Sequence, residues 1–134
     1  AIVASIGLKK LSTVIKKRNS NAKLMDKMLT QLSPHVILPK RIKGFTETFA
    51  LYMILVKDRD KLIRYLKRNK IETKIHYPVP LNKQKAAKNL NLNQNDFKVA
   101  NMQSKQLLTL PIHQYMTKKQ LIYIYQNIKK FYNK

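Results

Sequence analysis

The chain has 134 residues, of which 44% are apolar, and its 28 Lys and Arg against 6 Asp and Glu give a formal net charge of +22. This length allows one domain with one modest hydrophobic core. Cysteine, long apolar runs and a basic-then-apolar leader are all missing, which argues against a disulfide framework, a cysteine metal site, a membrane span and a secretory signal. We therefore expect a soluble, cytoplasmic protein.

The positive charge admits two interpretations. A chain this basic attracts polyanions, including nucleic acid, whatever its evolved role, so a nucleic-acid-binding domain is one of them. A solvated basic surface is the other. The basic residues are mostly Lys, with only five Arg, and they are spread along the whole length without a recognisable nucleic-acid-binding motif. These features favour the solvated surface and leave the nucleic-acid interpretation as the alternative.

The first half of the chain predicts one helix and two strands. Apolar residues recur at helical spacing through residues 2–32, at Ala4, Gly7, Leu11, Ile15, Ala22, Met25, Leu29 and Leu32. The Ser33-Pro34 pair ends this helix, because a residue before proline is disfavoured in the α region. Residues 35–39 predict a short strand, and a basic loop follows around Gly44. Residues 48–56 are almost continuously apolar, which predicts a central strand buried on both faces.

The next segment predicts a helix and a third strand. Asp58 is expected to cap a helix that runs to about Asn69. Residues 71–77 alternate, which is typical of a strand. One face would carry Ile71, Thr73, Ile75 and Tyr77, and the other Glu72, Lys74 and His76.

The last third predicts two helices. A polar turn region at 89–95 precedes a helix that Asp96 can cap and that residues 110–113 break. Thr117 and Gln120 fit a capping box for the final helix. The predicted order is helix, strand, strand, helix, strand, helix, helix. This is an α+β fold, with a small, mainly antiparallel or mixed sheet of about three strands covered by helices and a long N-terminal helix.

Residues 75–81 read Ile-His-Tyr-Pro-Val-Pro-Leu and form the most informative segment. An imidazole and a phenol stand side by side at a predicted strand end, and two prolines stiffen the loop beyond. Such a position presents polar groups to a ligand. The alternatives are that His76 is simply solvated beside charged neighbours, and that Tyr77 belongs to the core.

This segment resembles the signature G-I-x-T-x-I-H-Y-P-x-P-L-H in the small C-terminal domain of the DegT/StrS-type sugar aminotransferases. These are pyridoxal-phosphate (PLP) enzymes that aminate keto groups on nucleotide-linked sugars. Further segments are similar in the same order. Residues 4–18 resemble the opening helix and basic stretch, 51–62 a strand followed by D-R-D-x-L, and 108–120 the pattern L-S-L-P-x-H-x-x-L-T-x-x-Q. The resemblance covers essentially the whole chain.

The resemblance implies that residues 1–134 are the C-terminal small domain of a type I PLP-transferase fold, with the large PLP-binding domain absent from this chain. The uncapped apolar start at residues 1–6 also suggests a piece of something longer. In the parent enzyme, a homodimer of amino-sugar or cell-surface polysaccharide biosynthesis, His76 and Tyr77 would bind the substrate sugar. Lys83 and Lys85 would steer its anionic nucleotide.

The residues assign no catalytic, cofactor-binding or metal-binding site to this chain. Only Gly7 and Gly44 are present, so there is no glycine-rich phosphate loop. His35, His76 and His113 are far apart in sequence and lack acidic neighbours at metal-ligand spacing. We therefore expect the fragment alone to bind no PLP and to be inactive in transamination.

Overall fold

The computed structural model describes residues 2–133 and contains four α-helices, four short 3-10 helices and three strands within that range. In chain order the α-helices and strands are α1 Ile2–Leu29, β1 Val36–Ile37, β2 Tyr52–Val56, α2 Arg59–Arg68, α3 Lys98–Gln106, β3 Leu107–Leu110 and α4 Lys118–Tyr132. The strands form one antiparallel sheet in the order β1-β2-β3. The predicted α+β fold, with a small sheet and a long N-terminal helix, is confirmed. Over the described range, every helix is too short or too polar to cross a bilayer.

The third strand is not the one that the sequence predicts. Residues 71–77 form no strand, and only Lys74 makes an isolated bridge to Thr109. The third strand is β3, which pairs with β2 from Tyr52↔Leu110 to Leu55↔Leu107. The sequence instead predicts that those residues end a helix. A short apolar run such as residues 107–110 cannot be distinguished from a buried helical segment by periodicity, which explains the error.

β2 is the central strand, as predicted, but it is shorter than expected. Tyr52, Ile54 and Val56 are buried, while Met53 and Leu55 on the opposite face are half-buried. Residues 48–51 lie outside the sheet, and Phe49 has a φ of 46°, which is incompatible with extended backbone. The strand therefore begins only at Tyr52.

Only the second half of α1 contributes to the core. Ala22, Met25 and Leu29 are buried against the sheet and α4. The first members of the apolar stripe, Ala4, Gly7 and Leu11, are exposed instead. The physical reason is that the first half of α1 extends past the core and finds no packing partner within the described chain. Its exposed apolar side chains are Ile2, Val3, Ile6, Leu8 and Leu11.

One of the three predicted helix caps is formed. Thr117 and Gln120 make the capping box of α4, with Gln120 Oε1 accepting from the Thr117 amide at 2.8 Å. Asp58 occupies the N-cap position of α2 but makes no side-chain capping bond, because it adopts a left-handed φ of 51° and pairs with Lys61. The predicted Asp96 cap is wrong, since the residue preceding α3 is Phe97.

Candidate functional site

An open groove of about 300 Å³ lies where the segment 72–76 approaches β3. The Lys74 amide donates to the Thr109 carbonyl at 3.2 Å, and the Thr109 amide donates to the Lys74 carbonyl at 2.8 Å. These two bonds attach the segment to the exposed edge of β3. The walls of the groove come from Arg18, residues 49–51, residues 72–74, His76 and residues 109–113.

His76 is half-buried in the wall of this groove and is held by one ring nitrogen. Its Nδ1 lies 2.9 Å from Thr109 Oγ1. The other nitrogen, Nε2, has no hydrogen-bond partner among residues 2–133. The Thr109 hydroxyl can donate to Nδ1 or accept from it, so both neutral tautomers of His76 are compatible with this contact. When Nδ1 accepts, Nε2 carries the proton and can donate to a ligand; when Nδ1 donates, Nε2 can accept from one. The imidazole is thus oriented and still has one group to offer to a ligand.

Tyr77 lies beside the groove and not in the core. Its side chain is 76% exposed, and its ring is edge-on to that of His76 at a centroid distance of 6.2 Å. The interpretation of Tyr77 as a core residue is therefore wrong. It rested on strand alternation, which would have placed Tyr77 on the face of Ile71 and Ile75, and residues 71–77 are not a strand.

Six polar residues of the groove were not predicted as site residues from the sequence: Arg18, Glu72, Thr73, Lys74, Thr109 and His113. Arg18 is fixed because its Nε donates to Gln114 Oε1 at 3.1 Å and its Nη1 donates to the Phe49 carbonyl at 3.3 Å. These contacts join residues 96 and 31 positions apart, so no local motif could indicate them.

The groove has a positive balance of charge. Arg18 and Lys74 contribute two cations, and Glu72 contributes one carboxylate, which lies 3.6 Å from Lys74 Nζ. An exposed pair at this distance is weak, so Lys74 remains available to a ligand. The arrangement suits a polar or anionic molecule. Lys83, predicted to steer the substrate, lines a separate amide-rich depression with Asn82 and Asn101.

A charged cluster behind the groove fixes the residues before β2. Arg41 donates from Nε and Nη2 to the Asp26 carboxylate at 3.1 and 3.2 Å and from Nη1 to Glu47, and it lies over the Phe49 ring at 4.9 Å. Partial burial of Arg41 lowers its pKa, but the nearby carboxylates of Asp26 and Glu47 have the larger combined effect, so the pKa of Arg41 is raised overall. Burial, reinforced by a 2.6 Å hydrogen bond to Asp26, raises the pKa of the Tyr52 phenol.

The residues of this chain do not fit a covalently held cofactor or a metal ion. A lysine that forms a Schiff base is activated by burial in an apolar pocket or by a neighbouring cation. Every lysine in the range 2–133 is solvent-exposed. Within the same range, no group of three or more His, Asp or Glu could hold a metal ion. The groove is therefore suited to a reversibly bound ligand.

The model of the DegT/DnrJ/EryC1/StrS aminotransferase family matches residues 1–129. The chain belongs to this family. One relative is the pleiotropic regulatory protein of Geobacillus stearothermophilus, which is 27% identical over 133 residues. The dTDP-3-amino-3,6-dideoxy-alpha-D-galactopyranose transaminase of Aneurinibacillus thermoaerophilus is 26% identical over 99 residues, which is 74% of this chain.

Three solved structures have the same fold as this chain. An aminotransferase from Brucella abortus superimposes with a TM-score of 0.86 and 26% identity over 95% of this chain. DesV of S. venezuelae gives a TM-score of 0.89 at 24% identity over 96% of the chain. A Streptococcus pneumoniae structure, described as the PLP form of a sugar aminotransferase, gives 0.78 at 21% identity over 93% of the chain.

The chain spans about a third of the length of these proteins. It covers 36% of the Geobacillus protein and 27% of the Aneurinibacillus transaminase. In the three solved structures it covers 33 to 34% of the chain. Family membership is thus established for a segment that corresponds to only part of each relative.

Proposed function

We propose that residues 1–134 are the C-terminal small domain of a PLP-dependent aminotransferase that acts on a nucleotide-linked keto sugar. In this proposal the PLP-binding domain belongs to the parent enzyme and not to this chain. The small domain covers the active-site cleft and contributes His76 and Tyr77 to sugar binding. The parent enzyme works as a homodimer in the cytoplasm, in amino-sugar or cell-surface polysaccharide biosynthesis.

The observation that carries the proposal is the state of His76. The imidazole is oriented by Thr109 at 2.9 Å in a groove that also contains Arg18 and Lys74. A sugar hydroxyl is the kind of group that a single free imidazole nitrogen can bind. The anionic diphosphate of a nucleotide sugar is the kind of group that neighbouring cations attract. Tyr77, exposed beside His76, can supply a ring against which a sugar packs.

The exposed apolar half of α1 supports the existence of a companion domain. Ile2, Val3 and Leu8 are 78%, 85% and 67% exposed. Covering such side chains is favourable, because burial of apolar surface contributes about 25 cal/mol of free energy per Å². In the proposal, the PLP-binding domain covers this face of α1 in the parent enzyme.

The assignment of His76 and Tyr77 is tested by NMR titration of the chain with a dTDP-linked sugar. We expect shifts confined to the residues that line the groove and to Tyr77 beside it, that is, to Arg18 and residues 49–51, 72–74, 76–77 and 109–113. His76→Ala and Tyr77→Ala should each weaken binding severalfold. The matched control is Tyr115→Ala, since Tyr115 is 79% exposed, close to the exposure of Tyr77. Unmoved groove resonances at millimolar ligand, or equal loss of affinity in the control, would contradict the assignment.

A further inference from the structure

The segment around α2 is strongly basic. Residues 57–70 contain seven basic and two acidic side chains, a net charge of +5. Three of the five arginines of the protein, Arg59, Arg64 and Arg68, lie in this segment. Arginine, unlike lysine, is therefore concentrated in this part of the chain.

Both acidic side chains of the segment are already paired. Asp60 accepts from Arg59 Nε at 2.9 Å, and Asp58 lies 3.1 Å from Lys61 Nζ. The remaining five cations are exposed, and their side chains have no ion pair or hydrogen bond within residues 2–133. We call these five the α2 basic face: Lys57, Arg64, Lys67, Arg68 and Lys70.

Two of these cations, Arg64 and Arg68, lie one turn apart on the solvent-exposed side of α2. Leu62 and Leu66 are buried, so the opposite side of α2 faces solvent. Arg64 and Arg68 are one turn apart on that side, about 6 Å along the helix axis. A row of cations with this spacing can contact several charges of an extended polyanion at once.

The last helix adds to the same region. Tyr123 Oη donates to the Asn69 carbonyl, and Tyr132 Oη donates to the Lys57 carbonyl. The two helices therefore run antiparallel, and the end of α4 lies beside the start of α2. Lys129 and Lys130, both exposed, are close to that end. They extend the positive surface beyond Lys57.

We propose that the α2 basic face binds the phosphate backbone of nucleic acid without sequence preference. Guanidinium groups bind phosphate in a bidentate manner, and two arginines are free on this face. A membrane surface is the less suitable partner, because peripheral helices anchor through apolar side chains at the interface. No large apolar side chain between residues 57 and 70 is strongly exposed. This activity is independent of the groove and of the proposed sugar binding.

The test must separate a defined face from the net charge of the whole chain. Arg64→Gln, Lys67→Gln and Arg68→Gln are combined in one variant, and Lys9→Gln, Lys10→Gln and Lys16→Gln in a control that removes the same charge. All six residues are exposed, and circular dichroism checks that both variants stay folded. Fluorescence anisotropy then measures binding to a labelled DNA duplex and an RNA strand, each of about 20 nucleotides per strand, between about 50 and 200 mM salt.

We expect the α2 variant to lose at least tenfold in affinity and to lower the slope of log K against log salt by about 2 to 3, roughly one for each phosphate contact removed. The control should lose less than threefold. Equal losses in the two variants would overturn the proposal, since binding would then follow net charge alone. Binding to phosphatidylserine vesicles without binding to either nucleic acid would overturn it as well.

Discussion

The side chain of Arg41 joins several parts of this domain. Its guanidinium connects α1 through Asp26 with the loop through Glu47, and it covers the Phe49 ring, which lines the groove. Arg41→Ala would leave the Asp26 carboxylate half-buried, with Tyr52 as the one hydrogen-bond donor that remains to it within residues 2–133. We expect a loss of about 2 kcal/mol in the free energy of unfolding, measured by urea denaturation.

The control for this prediction is Arg64→Ala, because Arg64 is exposed and has no partner within the described residues. Its effect should stay within about 0.5 kcal/mol. Arg41→Lys should fall between the two, since an ammonium keeps the charge but loses the planar fork. Equal stability of Arg41→Ala and Arg64→Ala would show that the cluster does not hold the loop.

The sequence predicts single residues well only where the signal is local. The His76-Tyr77 pair stands out in a short motif, and the structure places His76 in the groove. Thr109, which orients His76, is 33 residues away, and Gln114, which fixes Arg18, is 96 residues away. A single sequence contains no information on such contacts until the fold is known.

The attachment of α4 to the end of β2 gives the domain a specific sensitivity to alkaline pH. Tyr132 donates to the Lys57 carbonyl at 2.6 Å and stacks on His35 at 4.8 Å. Burial, together with the charge of Asp58, raises the pKa of its phenol. An unfolded tyrosine ionises near 10, so above that pH the unfolded state binds fewer protons than the folded state. The free energy of unfolding therefore falls as pH rises above about 10 and is insensitive to this group below it.

Tyr132→Phe should remove part of this loss of unfolding free energy at alkaline pH. Tyr52, whose phenol pKa is also raised, should account for a further part. The measurement is the urea midpoint between about pH 8 and pH 11. Tyr115→Phe, at an exposed tyrosine, should keep the full slope of the parent protein. A Tyr132→Phe variant with that same slope would disprove the assignment.

Helices were predictable from the sequence where their length or their capping residues supported the apolar periodicity. The helix at residues 2–32 and the capping box at Thr117 were both correct. The third strand was predicted in the wrong place, because residues 71–77 alternate between apolar and polar side chains as a strand does, yet only Lys74 pairs with the sheet. β3 takes that place because its apolar side chains, among them Leu108 and Leu110, are buried beside β2. Tertiary burial, and not local alternation, decides between two candidate strands of this kind.

At the scale of the whole molecule, the fold places a small groove on one side and leaves half of a long helix uncovered. The chain also spans about a third of the family members that it matches. Both features are explained if the domain packs against a second, PLP-binding domain. The exposed half of α1 could not be predicted from periodicity, since an apolar stripe indicates a buried face but not the chain that buries it.

The most direct test replaces the matching segment of the Aneurinibacillus transaminase with residues 1–134 and measures turnover of the dTDP-amino sugar of that enzyme. We predict a chimera that binds PLP, is active, and loses at least tenfold in kcat/KM with His76→Ala while Tyr115→Ala has little effect. A chimera that binds PLP but turns over no faster than the same enzyme without the segment, or one that is indifferent to His76→Ala, would contradict the proposed role.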